Sequence, residues 1–413
     1  MASTLYICYF GLREPLVQTQ VLPYLREIRK DGIDVSILTF EPHIRSTWSP
    51  EQIAEERAAL ATEGIDWHCL VYHKWPSVPA TVYDIFRGTL FIRNFIAKNQ
   101  PDVLHGRVHL PTLMGAIARK LSRHKPKLLF DIRGFFPEEY TDAGIWPEGG
   151  WLYRAVKRIE RWLMSESDGF VVLTENARNI LFPESTKSGY DDLGRPVEVI
   201  PCCVDFGTRF KENTVELRSS VRTEIGIDDR FVIVHLGALG GLYRTNEIAD
   251  FLAVARKTNP RTFAMFLTQT DPTRILPLLK ERGFDESDYF VGRVAPADIQ
   301  SYLNASDIGL SFVKAGYATA SRSPTKIPEY LACGLPVIAN RGVGDVDDLI
   351  SRNRVGALID HFSDTSYLKA LDMVDALGDV RGRCRETAER EFSLTSVGGV
   401  KYRALYHRLL RGE

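Results

Sequence analysis

Short apolar runs recur along the chain, with longer helix-compatible segments between them. One series comprises TLYICYF, DVSILTF, DVLHGRV, KLLFDIRG and GFVVLTEN; a second comprises RFVIVHLG, TFAMFLTQ, YFVGRV, DIGLSFV and LPVIAN. Runs of this kind read as buried strands, and strands alternating with helices specify parallel sheets covered on both faces. The pattern therefore predicts an α/β protein of two doubly wound halves. After the first strand, Gly11 leads through a polar loop into the helix LVQTQVLPYLREIRKDG, which Gly32 ends. Past VEVIPCCVD, the charged stretch from Phe206 to about Asp229 predicts irregular structure. In sheets of this type ligands bind beyond the carboxyl ends of the strands, so each half offers a binding edge and two facing halves make a cleft.

The segment SPTKIPEYLACGLPVIAN, residues 323–340, carries the sharpest local signal. Proline is tolerated only in the first helical turn, so Pro328 predicts a helix opening near Lys326. Thr325 or Ser323 is expected to cap it, and Gly334 followed by Pro336 closes it after about two turns. A helix start attracts anions, and Lys326 adds to that attraction. Glu329 does not suit an anion and fits uncharged groups such as sugar hydroxyls. The bland reading, a solvated Lys326 and a Glu329 that only complements the helix dipole, stays open at this point. In HLGALGG, Gly237, Gly240 and Gly241 sit between a strand and a helix, where a bare backbone can approach a diphosphate. A glycine-rich turn alone is a weak signal.

The order VIPCCVD, VIVHLGALGG, VGRVAPADIQSYLNASDIGLSF and SPTKIPEYLACGLPVIA resembles the retaining family-4 nucleotide-sugar glycosyltransferases of the GT-B fold. In the first half, PLVQTQVLPYLREIRKDGIDVSILTFEP, DVLHGRVHLPTLMGAIARK and LLFDIRGFFPEE extend the likeness to nearly the whole chain. The resemblance implies two Rossmann-like domains facing an interdomain cleft. Residues 1–207 would form the acceptor-side domain and 208–392 the nucleotide-sugar-binding domain, with a C-terminal helix, 393–413, packing back toward the first. It further implies transfer of a sugar, with retention, from a UDP- or GDP-linked donor to a hydroxyl acceptor such as a glycan or lipid-linked saccharide, with no metal or other cofactor.

By position in the motifs, Arg244 and Lys326 neutralise the leaving diphosphate and Glu329 holds the ribose hydroxyls. Gly237, Gly240, Gly241, Ser323 and Thr325 approach the phosphates through the backbone, and Arg293 and Val294 frame the base. Two positions depart from the pattern. Ala238 stands where relatives usually carry an arginine, and Ser321 stands where they carry a glutamate, eight positions before Glu329. Ser321 implies altered recognition of the donor sugar and leaves retention against inversion undecided. Arg133 falls where many relatives place a histidine near the reaction centre, with Asp131 two residues away on the same strand face. Gly11, His105 and Arg107 are expected near the acceptor. A buried Asp131–Arg133 pair that merely holds a loop is an equal reading. Two other functions remain as alternatives: a catalytically silent nucleotide-binding relative that acts as an interaction protein, and a nucleotide-sugar epimerase of the same fold.

Composition trims the field. With 413 residues and a net charge of -1, the chain can fill two sizeable cores and has no global pull toward nucleic acid. Six scattered cysteines without a C-x-x-C pair predict reduced thiols and a cytoplasmic protein, and adjacent Cys202 and Cys203 are poorly placed to bridge. MASTLYICYF lacks a basic region before its apolar run, so no signal peptide is expected, and no run is long enough to span a bilayer. YDIFRGTLFIRNFIAKN and WLYRAVKRIERWLMSES mix aromatic and basic residues at helical spacing. That pattern fits either peripheral association with the inner face of a membrane or a helix with one face packed on a sheet. Three motifs are discounted. The DVD at Asp345–Asp347 reads as acids favouring a helix start, His105 and His109 lack a third metal ligand, and the DFG at Asp205–Gly207 is coincidental.

Overall fold

Apolar runs become the inner strands of two parallel sheets, seen in a computed structural model that describes residues 2–211 and 215–411. The first sheet contains β1 (Ser3–Ile7), β2 (Asp34–Pro42), β3 (Ile65–Tyr72), β4 (Val103–Arg107), β5 (Lys127–Ile132), β6 (Gly169–Val172) and β7 (Val197–Val199). Its order is β3-β2-β1-β4-β5-β6-β7, with every pairing parallel. The second contains β8 (Phe231–Leu236), β9 (Thr262–Leu267), β10 (Tyr289–Gly292), β11 (Ile308–Ser311), β12 (Val337–Asn340) and β13 (Gly356–Ile359). It runs β10-β9-β8-β11-β12-β13, also parallel. Both are doubly wound, and the winding reverses between β1 and β4 and between β8 and β11. Those reversals are the switch points at which such sheets take ligands.

The chain divides into one unit of Met1–Pro201 with Leu394–Glu413 and a second of Cys202–Ser393. In the second unit β8 shows how the sheet is sandwiched. Val232, Val234 and Leu236 enter one buried cluster with Leu331 and Val337, while Ile233 enters another with Ile248 and Phe251. Alternate side chains of a strand point to opposite faces, so an all-apolar strand needs a core on each side. The C-terminal helix Val400–Arg411 belongs to the first unit, where Tyr402, Leu405, Tyr406 and Leu409 are buried. Arg403 pairs with Glu27 at 2.8 Å and with Asp31 at 3.2 Å.

The stretch from Phe206 to Asp229 is not irregular throughout: it contains the helix Val215–Glu224. Val221 of this helix is buried, and charge holds it further. Arg218 and Arg222 reach Asp307 at 2.6 and 3.6 Å, and Asp307 also accepts the Val232 N–H that starts β8. Asp205 of the DFG triplet is a turn residue, its carboxylate accepting from the Gly207 and Thr208 N–H groups. No helix among the described residues is long and apolar enough to cross a membrane.

Gly356 is fixed by close approach rather than by backbone conformation. A Cβ there would lie 1.9 Å from the Val337 carbonyl oxygen and 2.8 Å from its nitrogen, across the β12–β13 pairing. Backbone atoms of a paired strand cannot yield as a side-chain tip would. Gly356→Ala is expected to destabilise the second unit by at least the ~1–3 kcal/mol typical of overpacking. Thermal unfolding measures this, and an unchanged Tm would contradict the packing described.

Candidate functional site

Past β8 the chain turns through Gly237, Gly240 and Gly241, with φ of 113°, 77° and 61°. This region disfavours any residue with a Cβ. At Gly240 and Gly241 an added Cβ would meet open space, whereas at Gly237 it would lie 3.5 Å from Lys326 Nζ. The loop is therefore glycine-rich for its conformation, and at Gly237 also because a lysine lies against it.

The helix Lys326–Ala332 holds that lysine. Pro328 lies in its first turn, and Gly334, at φ 75°, ends it. Neither Thr325 nor Ser323 caps it through a side chain. Thr325 is already helical at φ -57° and ψ -30°, where an N-cap side chain cannot reach back, and the Ser323 hydroxyl accepts the Cys202 N–H at 3.0 Å. Position comes instead from Tyr330. Its phenol accepts the Leu236 N–H at 2.7 Å and donates to the Leu310 carbonyl at 3.1 Å, bridging the ends of β8 and β11. Gly309 makes room, since a Cβ there would meet the Tyr330 ring at 2.5 Å.

Lys326 is only 5% exposed, and its Nζ has no hydrogen-bond partner among the described residues. The Tyr243 ring lies 4.4 Å away and supplies a cation–π attraction. Burial pushes the ammonium down to about 7, against the opposing pull of Glu329. His235 is buried beside it and pushed well down by burial and by the Lys326 charge, so its ring is neutral. Burial likewise pushes Glu329 up to about 7, while Arg209, 3.5 Å away, and Lys326 pull the other way. Arg209 was not read from the sequence. It lies in the charged stretch between the two strand series and meets Glu329 only through the fold.

The other residues expected in this unit are less closely gathered. Arg244 precedes the helix Thr245–Thr258 and contacts Glu247 at 3.1 Å. Ser321 is buried in a single turn, Ala318–Ser321, its hydroxyl donating to the Ala318 carbonyl at 2.8 Å. Arg293 is exposed and reaches the Gln269 carbonyl at 3.4 Å, and Val294 packs against the core. Asp347 of the DVD triplet accepts the Gly342 N–H. Among the described residues no group of three or more His, Cys, Asp or Glu side chains is arranged to hold a metal. His105 and His109 do not share a helix: His105 lies on β4 and His109 opens the next helix, where it contacts Glu160 at 2.8 Å.

In the first unit the structure brings His105, Arg107, Asp131 and Arg133 together, but in the interior. Arg107 and Asp131 are register partners on β4 and β5. Around the Asp131 carboxylate lie Arg133 and His105 at 3.6 Å and Arg107 at 3.9 Å, and the Tyr402 hydroxyl donates to it at 3.1 Å. Tyr406 closes the other side, 2.9 Å from His105 Nδ1 and 3.0 Å from Thr4 Oγ1. Burial alone would raise the Asp131 carboxyl, yet Arg133, His105 and Arg107 hold it at about 2. Gly11 lies tight on the end of β2, where a Cβ would meet Pro42 at 2.8 Å and Glu41 at 2.9 Å.

A second cluster in this unit escaped sequence reading. Asp84, fully buried on the helix Ser77–Asn99, accepts from the Tyr9 hydroxyl at 2.8 Å and from the His73 N–H at 2.9 Å. It also faces His73 Nδ1 at 2.6 Å. The half-exposed His73 imidazole thus stands just past β3, backed by a carboxylate and beside the chain leaving β1. The available signal was a lone acid in an otherwise apolar and basic helix.

Comparisons with known proteins follow this architecture. A family model described as "Glycosyl transferase 4-like domain" matches residues 17–182, and one described as "Glycosyl transferases group 1" matches residues 231–374. A glycosyltransferase from Rickettsia africae is 16% identical with a TM-score of 0.68, over 100% of this chain and 99% of that one. Sucrose-phosphate synthase from Thermosynechococcus elongatus is 14% identical with a TM-score of 0.74, over all of both chains. HepE of Anabaena in complex with UDP-glucose is 14% identical with a TM-score of 0.68, over 98% of this chain and 100% of that one. No curated protein sequence matches.

The Asp131 cluster has a pH signature. Its carboxyl titrates at about 2 in the folded chain, against about 3.9 when unfolded, so its contribution is complete above pH ~4 and is lost as pH falls toward 2. The shift corresponds to roughly 2–3 kcal/mol. Asp131→Asn is expected to lower stability at neutral pH and to flatten the acid limb of denaturant titrations. A variant with an unaltered acid limb would contradict the assignment.

Proposed function

We propose that this chain, which belongs to the family-4-like glycosyltransferases of the GT-B fold, moves a sugar from a UDP-linked donor to a hydroxyl of a glycan or lipid-linked acceptor. Lys326 carries the reading. A buried ammonium without a hydrogen-bond partner is unfavourable until an anion reaches it, and it lies against a glycine loop open to space. A diphosphate has the charge and the oxygens to fill that role. Glu329, close to neutrality when empty, accepts from ribose hydroxyls, since one carboxylate can take two O–H donors. Complexes of HepE with UDP and UDP-glucose support uridine as the first base to test.

Cleavage of the sugar–phosphate bond builds negative charge on the leaving oxygens, and fixed cations that meet it usually supply the largest catalytic contribution. Lys326 does so from within, and Arg244 adds a half-exposed charge shared with Glu247. No divalent metal is needed for this role. Ser321 turns its hydroxyl into its own turn and brings no carboxylate to the sugar, a loss that a retaining route tolerates because the leaving phosphate itself takes the acceptor proton. On the acceptor side, the sealed His105 and Arg107 act as support, and His73 offers the open nitrogen to a hydroxyl. Six free thiols, most of them buried, support a cytoplasmic setting.

A silent nucleotide-binding relative is the second reading, favoured by Ala238 and Ser321 where the resemblance expects an arginine and a glutamate. Release of UDP from a panel of UDP-sugars, with and without saccharide acceptors, distinguishes the two. Turnover is expected in the presence of a chelator. Lys326→Ala should lower kcat by about 10²–10³ with a smaller change in donor affinity. Glu329→Ala should weaken donor binding about tenfold or more in a folded protein. Tight UDP binding without UDP release from any donor would select the silent relative.

A further inference from the structure

The helix Ser77–Asn99 is amphipathic in an unusual sense, because both of its faces are apolar. Its inner face buries Ala80, Gly88, Ile92, Phe95 and Ile96. Gly88 lets it settle close to its neighbours, since a Cβ there would meet Met114 at 2.5 Å and Phe40 at 3.0 Å. Its outer face should be polar if water were the only neighbour. Instead Val78, Val82, Phe86 and Leu90 recur every fourth residue and are all exposed, Val82 at 59% and Phe86 at 58%. Trp75, just before the helix, is 85% exposed.

The exposed charges of this helix have one sign. The only carboxylate in the helix is Asp84, which is fully buried on the opposite side. The exposed ionisable groups are Arg87, Arg93 and Lys98, with Lys74 just before the helix. A second helix of the same unit, Trp151–Glu166, exposes Trp151 at 67% and carries Arg154, Arg158 and Arg161 on its open face. Both pack against the helix His109–Lys120 between them, so the two faces belong to one layer.

We propose that this layer docks on an anionic lipid surface. Val82, Phe86 and Trp75 enter the headgroup–acyl boundary while Arg87, Arg93 and the arginines of the second helix meet lipid phosphates. Apolar residues flanked by cations, with aromatic rings at the edge, are what an interfacial helix requires. A second copy is the poorer occupant, because two such faces would bring like charges together with no exposed carboxylate on the helix to offset them. The inference is independent of sugar transfer and stands or falls on partitioning alone.

Co-sedimentation of the full chain with vesicles tests it directly. Vesicles of equimolar phosphatidylcholine and phosphatidylglycerol should retain the protein about tenfold more strongly than pure phosphatidylcholine, and added salt should weaken the binding. Val82→Ser combined with Phe86→Ser should lower partitioning by about tenfold or more, and both positions are solvent-exposed, so thermal unfolding should remain that of the parent. Equal partitioning of parent and variant, or no partitioning to anionic vesicles at low salt, would overturn the proposal. So would sedimentation-velocity evidence of a dimer lost on the same substitutions without any vesicle binding.

Discussion

A buried ammonium without a hydrogen bond is the constraint around which the second unit is arranged. Lys326 reaches its place because Pro328 opens a short helix there and because the Tyr330 phenol ties that helix to β8 and β11. Gly309 admits the Tyr330 ring, and Gly237 admits the lysine tip. Together they hold a cation at the switch point of the sheet without a hydrogen-bond partner, and the chain tolerates it because the group loses its proton readily, at about 7.

The first unit presents the opposite case at the corresponding edge of its sheet. Asp131 is as deeply buried, but Arg133, His105, Arg107 and Tyr402 surround it. Its charge is answered from within the protein, and the C-terminal helix seals it. The two clusters show why burial of an ionisable group does not by itself mark a site. A cluster whose opposite charges offset one another stabilises, whereas a cation without a hydrogen-bond partner is available to a ligand.

Legibility in the sequence followed the range of the interactions involved. The inner strands were readable because burial on both faces makes them continuously apolar. Edge strand β3 was not, since IDWHCLVY is only half-buried, and edge strand β13 was missed as well. Pro328, Gly334 and the three glycines after β8 obey local rules and were placed correctly in the chain. The Ser323 hydroxyl was one of two candidate caps because local reasoning could not supply Cys202 as its partner. The strand-end cluster of His105, Arg107, Asp131 and Arg133 was legible, but its closure was not. Tyr402 and Tyr406 lie 271 and 301 residues along the chain from the groups they meet. Arg209 beside Glu329 and Asp84 beside His73 are likewise tertiary pairings without a sequence spacing to reveal them.

Central to the whole reading is that Lys326 waits for an anion, and its own titration tests this most directly. Selective isotopic labelling of lysine, with Lys326 identified by its absence in Lys326→Arg, allows its amine to be followed by NMR across pH with and without UDP. The expected result is a midpoint near 7 in the free protein that returns toward the ordinary lysine value when UDP is bound. A lysine that titrates normally in the free protein, or a depressed midpoint that bound UDP leaves unmoved, would contradict it.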